Sequence, residues 1–330
     1  MVIVTPFTQA GTARAGGAEG KHMTSASERY LQAARRESTI RRYKQALEHY
    51  EIGWGGFLPA SSESIVRYLA EHAGLSISTL RSNLAALARW HLNHGFVDPT
   101  KAPQVRDVLR GIQALHPRQV RQAEPLQLRE LEQCVAALQQ EVASPDLSVR
   151  LRASRDRALL LLGFWRAFRS DDLCRLRIET SQLVSGEGLS LFLSSSKTDR
   201  DHQGRTVSVP ALIRLCPVQA YEDWLTLSQL RSGPVFRSID RWGHLGPAAL
   251  HPYSVARVLR RALTRGGVAG ERYSGHSLRR GFATWATRNQ WSPKALMEYV
   301  GWRDVHSALR YVEADAPFGN WRREDGAESK

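Results

Sequence analysis

Towards the C-terminal end of the 330-residue chain, the segment GHSLRRGFATWATRNQWSPKALMEYVGWRDVHSALRY sets His276, Arg279, Trp302 and Tyr311 in a fixed order. A guanidinium matches the oxygens of a phosphate, imidazole and indole N–H groups donate to them, and a phenol oxygen can attack phosphorus. That order suits the transfer of a DNA strand. Three short helices must position the set. Leu278, Phe282 and Trp285 recur at i, i+4 and i+7, one buried helical face, with His276 and Arg279 at i, i+3 near its start. Ser292 is placed as N-cap of the next helix, Pro293 as its first residue and Gly301 as its left-handed terminator. A third helix begins at Asp304, with an apolar stripe of Val305, Ala308, Leu309 and Val312. At about 100° per residue Tyr311 lies roughly 110° from the centre of that stripe. It shares a polar flank with Asp304 and Ser307, so an exposed nucleophile is expected.

Two further groups stand upstream. The run SRDRALLLLGFWRAF reads as a buried helix through Leu159–Leu162, Phe164, Trp165 and Phe168, and Arg169 follows it. Next comes SDDLCRLRI, with Ser170 as N-cap and Asp171 and Asp172 in the first turn, where carboxylates complement the helix dipole. Taken alone, Arg169 could merely pair with Asp172. The stretch GLSLFLSSSKTDRDHQGRTVSVP alternates as two strands of a β-hairpin, with Lys197 towards the tip. An isolated hairpin Lys is ordinarily just solvated.

A net charge of +14 implies a polyanionic partner, and the basic residues are spread through both halves of the chain. Nucleic acid leads. A membrane surface is the runner-up, but no stretch approaches the roughly 20 apolar residues of a spanning helix, and no membrane partner is expected. The opening MVIV is too short for a signal-peptide core, so a cytoplasmic protein is expected. Three cysteines, Cys134, Cys174 and Cys216, show no CxxC spacing and fit a reducing compartment without disulfides or zinc. No metal motif or P-loop is visible, and no cofactor is expected.

The length favours two domains. Residues 1–25 form an aperiodic Gly-, Ala- and Thr-rich tail, and Met23 after Lys-His makes residues 1–22 a candidate extension. Residues 26–115 read as a helical bundle, with patterns at Ser38–Ile52, Ser61–Ala73, Ser78–His94 and Pro103–Leu115. Residues 116–125 read as an extended basic linker, residues 126–315 as a second domain and residues 316–330 as a tail. On the third helix Leu80, Leu84 and Leu87 point inward, leaving Thr79, Arg81, Ser82, Asn83 and Arg89 on a polar face that suits a major groove. Arg41, Arg42 and Lys44 on the first helix are further DNA-binding candidates. A solvated helix face is the plain alternative for each. A helix near Tyr253–Thr264 carries Arg257, Arg260 and Arg261, and Arg is the commonest reader of guanine.

Together these features resemble the tyrosine recombinase (phage integrase) family over nearly the whole chain after the tail. FRSDDLCRLRI matches the setting of the family's first catalytic Arg, Arg169 here, and SSKTD selects Lys197. His276-Ser-Leu-Arg279 matches the H-x-x-R box, and the later helix selects Tyr311. YSGHS before the box, Gly301-Trp302 where many members have Gly-His, and LRYVEADAPFGNW around the Tyr resemble the Cre type. Asp172 stands where the family often has Glu, and Trp302 can donate a hydrogen bond but cannot accept a proton, which excludes an acid–base cycle there.

The resemblance implies a mainly α fold with a small β-sheet, in which a helical core-binding domain and a mixed α/β catalytic domain form a C-shaped clamp on DNA. It implies that Arg169 and Arg279 clamp the scissile phosphate, with His276 and Trp302 adding hydrogen bonds and Asp172 supporting them. Tyr311 would attack with its proton lost beside those cations, and Lys197 would protonate the leaving 5′-oxygen. The expected product is a 3′-phosphotyrosyl bond, reversible without ATP or metal. A tetramer on two inverted-repeat duplexes, working through a Holliday junction, is implied as well. Phe318 and Trp321 would anchor the tail on a neighbouring protomer. A type IB-like topoisomerase and a non-catalytic DNA-binding protein are the alternatives.

Overall fold

The computed structural model describes residue 30 and residues 37–117, 122–184, 187–194 and 203–315. The chain divides into two compact units, residues 1–120 and 121–330.

Among the described residues, four α-helices of more than one turn build the first unit. They are α1 (Glu37–Glu48), which continues into a π-helical turn (His49–Gly53), α2 (Ser62–Glu71), α3 (Ile77–Asn93) and α4 (Pro103–Leu115). Serines start two of them. Ser61 Oγ accepts the Ser64 N–H at 3.1 Å, and Ser76 Oγ accepts that of Thr79 at 3.0 Å. The expected start of α3 at Ser78 is therefore two residues late, because Ser76 takes the first free N–H groups. Tyr50, Ile65, Tyr68, Leu80, Leu87 and Val105 meet in the core of this unit. Asn83 belongs with them and corrects the sequence reading. It is 2% exposed, donates from Nδ2 to Tyr68 Oη at 2.7 Å and accepts from Arg42 Nη2 at 3.1 Å. Periodicity put Asn83 on the polar face because it counts polar residues as outward, whereas a hydrogen-bonded amide is stable inside.

The second unit is organised around one helix. It contains α5 (Leu128–Val142), α6 (Leu147–Trp165), α7 (Ser170–Cys174), β1 (Ser181–Val184), β2 (Gly188–Leu193) and β3 (Arg205–Pro210). There follow α8 (Pro217–Ser228), β4 (Arg237–Ile239), β5 (Leu245–Ala249), α9 (Pro252–Arg265), α10 (Gly275–Arg288), α11 (Pro293–Val300) and α12 (Val305–Asp315). Helix α6 is buried nearly all round and packs against α5, α8 and α10. Its charged turn stays inside because each guanidinium is matched. Arg155 Nε donates to Asp156 Oδ1 at 2.8 Å, and Arg157 reaches Asp223 and Gln139. Before α5 the chain is already tied to this unit, with the Leu126 N–H on the Ser277 carbonyl at 3.0 Å and the Glu124 N–H on that of Arg272 at 3.1 Å.

Strands β1, β2 and β3 form an antiparallel sheet in that order, with Leu189, Leu191, Leu193, Val207 and Val209 inward. The sequence reading found the β2–β3 hairpin and missed β1, which is short and half exposed. It also passed over α8 and the β4–β5 pair. All three cysteines are free, and burial pushes the Cys134 and Cys174 thiols up to about 12, which makes them inert at neutral pH.

Candidate active site

The polypeptide leaves α6 through a tight turn. Ala167 takes the left-handed conformation (φ 52°), at a cost of about 1–2 kcal/mol for a residue with a Cβ. The turn aims the Ala167 carbonyl at Arg279, whose Nη1 donates to it at 2.7 Å. Arg169 then occupies the N-cap of α7, one residue earlier than the expected Ser170. The cap is made from within the helix, where Asp172 Oδ2 lies 3.4 Å from the Arg169 N–H and 3.8 Å from its Nη1. Pairing with Asp172 and a place in the site are thus not alternatives for Arg169.

Asp172 is 1% exposed. Burial raises its pKa above the ordinary carboxylate value, and Arg169, Arg279 and Arg205 pull in the opposite direction. The charges of three guanidiniums from three elements therefore act on one buried carboxylate, with Arg169 the ion-paired one. Arg279, 6% exposed, is pushed down to about 9 by burial and by the nearby Arg169, and still remains a cation at neutral pH. Arg169 Nη1 and Arg279 Nη2 are buried without a hydrogen-bond acceptor among the described residues. Donors so placed are costly unless an anion accepts from them.

His276 lies in the first turn of α10, where Ser274 Oγ accepts its N–H at 3.2 Å, and its side chain is exposed. Gly275 lets that helix start come close to the start of α7. A Cβ there would overlap Ser170 Oγ. The two helix N-termini add partial positive charge beside Arg169 and Arg279.

Helix α11 ends as its sequence predicts. Ser292 Oγ accepts from the Ala295 N–H at 3.2 Å, Pro293 follows, and Gly301 is left-handed (φ 73°). Trp302 emerges from this turn with its N–H on the Met297 carbonyl at 2.9 Å. The Tyr311 ring stacks on the indole at 5.3 Å with 5° between planes, and Arg279 Cζ lies 5.2 Å from the Trp302 ring centroid. Arg280 Cζ is 5.8 Å from the Tyr311 ring, and its guanidinium is held by Gln122.

Tyr311 is therefore half-buried and packed against the core, not the exposed residue expected from its helix. Its cover is Trp302, a residue outside α12, which a periodicity count within α12 cannot include. The expected stripe is also uneven, for Ala308 is buried while Val305 is 49% exposed.

Lys197 lies outside the described residues, as do Phe318 and Trp321. Arg205, at the start of β3, joins the site although sequence reasoning missed it. The signal was present, because strand alternation puts Arg205 on the same face as Val207 and Val209.

Among the DNA-binding candidates of the first unit, Arg41, Lys44, Arg81 and Arg89 are exposed. Arg42, Thr79 and Ser82 are half-buried, and Thr79 Oγ1 is bonded to Ser76 Oγ at 2.8 Å. On α9, Arg257 and Arg261 are exposed, whereas Arg260 Nε is committed to the Tyr273 carbonyl at 2.8 Å. Among the described residues no group of three His, Cys, Asp or Glu could hold a metal ion, and no helix is long and apolar enough to cross a membrane.

The model of the phage integrase family matches residues 126–317. An integrase/recombinase described as a XerD homolog, from Selenomonas ruminantium, is 28% identical over 304 residues, 87% of this chain and 86% of that protein. The Cre recombinase of Escherichia phage P1 is 22% identical over 274 residues, 78% and 77% of the two chains. Two solved structures share the fold. A post-cleavage complex of the XerH site-specific recombinase with a palindromic difH substrate superposes with a TM-score of 0.57 at 17% identity, over 84% of this chain and 77% of that one. A lambda integrase dimer bound to a COC′ core site gives 0.56 at 17% identity, over 94% and 97%.

Proposed function

Since the chain belongs to the phage integrase family, the tyrosine site-specific recombinases, we propose that it cuts and rejoins DNA through a 3′-phosphotyrosyl bond. The observation that carries this reading is the gathering of Arg279 and Tyr311 on the Trp302 ring, beside Arg169 and Asp172. Arg169 and Arg279 bind the non-bridging oxygens of the scissile phosphate, where attack builds negative charge. Their unaccepted buried donors, Arg169 Nη1 and Arg279 Nη2, are the groups available for it. His276 and Trp302 donate further hydrogen bonds. Tyr311 Oη forms the bond to phosphorus as the bond to the 5′-oxygen breaks, and the departing oxygen takes a proton from Lys197. Because the phosphodiester energy is kept in the tyrosyl ester, a second 5′-hydroxyl can reverse the step.

The partner is double-stranded DNA carrying an inverted-repeat site. Four protomers act on two such sites through a Holliday junction, with the tail residues Phe318 and Trp321 reaching a neighbouring protomer. The net charge of +14 supports DNA as the partner. The likeness to Cre and to the XerD homolog supports paired-site recombination over relaxation by a single protomer.

A nicked suicide substrate tests the chemistry, built from inverted repeats found beside the gene. Wild-type protein becomes covalently attached, and Tyr311→Phe does not. Absence of a wild-type adduct on that DNA refutes the enzyme reading, and relaxation of plasmids lacking any such site, without strand exchange, favours a topoisomerase.

A further inference from the structure

Strand β3 begins with Arg205, opposite Leu193 at the end of β2, and its side chain follows the inward face of the strand. It ends against the left-handed turn after α11. A Cβ built on Gly301 would overlap Arg205 Nη1 and lie 2.8 Å from Cζ and 2.9 Å from Nη2, so the whole guanidinium end covers the glycine. From Gly301 the chain passes directly to Trp302, whose ring contacts both Arg279 and Tyr311. Arg166 holds the end of α11 just before that turn, with Nη1 on the Tyr299 carbonyl and Cζ 4.1 Å from the Tyr299 ring centroid.

Charge points the same way. The acid that attracts Arg205 is Asp172, while Arg169 repels it. Burial pulls the Arg205 pKa below its ordinary value, and its Nε is buried without an acceptor among the described residues. Such a group is unfavourable in a strand whose only task is packing. Leu or Val, like its face-mates Val207 and Val209, would fill the space without desolvating a charge.

We propose that Arg205 is a positioning residue for strand transfer, which acts through Asp172 and the Gly301–Trp302 turn. It rests on the reading of the site given above. The guanidinium has two tasks. Its end atoms fix the turn from which Trp302 projects, and its charge keeps Asp172 ionised so that the carboxylate orients Arg169 and Arg279. Arginine suits both, being flat enough to lie on a glycine and charged at every working pH.

Single-turnover covalent attachment to the nicked suicide substrate, followed across pH, provides the test. The groups whose charge or hydrogen bond acts on Asp172 are the Arg169 N–H and guanidinium at the start of α7, Arg279 on α10 and Arg205 on β3. Removing one cation raises the Asp172 pKa further, so its protonation sets in at higher pH. Arg205→Met is expected to slow attachment about 10- to 100-fold and to move the acidic limb of the profile to higher pH, with DNA affinity kept within about threefold. Arg205→Lys keeps the limb where the wild type has it. In an Asp172→Asn background, Arg205→Met moves no limb. Gly301→Ala slows wild type more than it slows Arg205→Met, because the collision with the guanidinium is gone. A slowed Arg205→Met with an unmoved limb and an undiminished effect of Gly301→Ala overturns the proposal, as does a wild-type rate. Lost DNA affinity at an unchanged rate also overturns it, and makes Arg205 a DNA contact. If wild-type protein itself forms no adduct, the underlying reading of the site falls and takes this proposal with it.

Discussion

Replacing Trp302 by Phe and by Ala separates two contributions of one side chain. The indole N–H is a candidate donor to the scissile phosphate, and the ring is the layer on which Tyr311 rests. Phe removes the donor and keeps a ring. Ala removes both. The Tyr311 stack, at 5.3 Å and 5°, falls within the range in which aromatic pairs contribute about 0.5–1.5 kcal/mol. Arg279 at 5.2 Å from the centroid adds a cation–π contact of about 0.5–2 kcal/mol, the upper part applying to a desolvated site. Together the ring contacts amount to about 2 kcal/mol, which corresponds to roughly a 30-fold loss in rate if they orient the nucleophile. Loss of a preorganised donor costs about 10²–10³ in rate. Single-turnover attachment at saturating DNA is therefore expected to fall by about 10²–10³ for Trp302→Phe, and by roughly a further 30-fold for Trp302→Ala. Thermal melts of both variants check that the unit remains folded. Equal rates for Phe and Ala would refute the orienting role of the ring, and a Phe variant as fast as wild type would refute the donor role.

Two other outcomes concern residues away from the chemistry. Asn83→Ala removes the buried amide shared by Tyr68 Oη and Arg42, leaving Tyr68 Oη only its bond to His49 Nδ1, and is expected to destabilise the first unit by about 1–3 kcal/mol in a denaturant melt. Preference for individual bases in the DNA site stays as in wild type, and relaxed specificity at one base pair would return Asn83 to the role of base reader. At Gly281 a Cβ would overlap the Leu126 carbonyl oxygen and lie 2.9 Å from a Phe164 ring carbon. Since backbone cannot step aside as a side-chain end can, Gly281→Ala is expected to cost about 3 kcal/mol, seen as a lowered unfolding midpoint. An unchanged midpoint would show that the contact between α10 and the start of the second unit is looser than these distances require.

Much of the site was legible because its parts are local. Ser61, Ser292, Pro293 and Gly301 announce helix ends through hydrogen bonds and dihedral angles that span a few residues. The apolar run Leu159–Leu162 marks α6 as an inner helix whatever surrounds it. Local signals also misplace. Ser78 looked as suitable for capping as Ser76, and Ser170 more suitable than Arg169, yet the actual start of each helix depended on which free N–H groups found an acceptor.

By itself the sequence determined the order of the chemical groups, the helices that carry His276, Arg279 and Tyr311, and the strands on either side of Lys197. Tertiary structure alone decided which of them share space. Tyr311 is half-buried because Trp302 arrives from a different element, Asn83 is internal because Tyr68 and Arg42 meet it there, and Arg205 reaches Gly301 from a distant strand. Periodicity reports the direction of a side chain from its own helix or strand. What waits in that direction, and with what charge, depends on segments that the fold brings together from far along the chain.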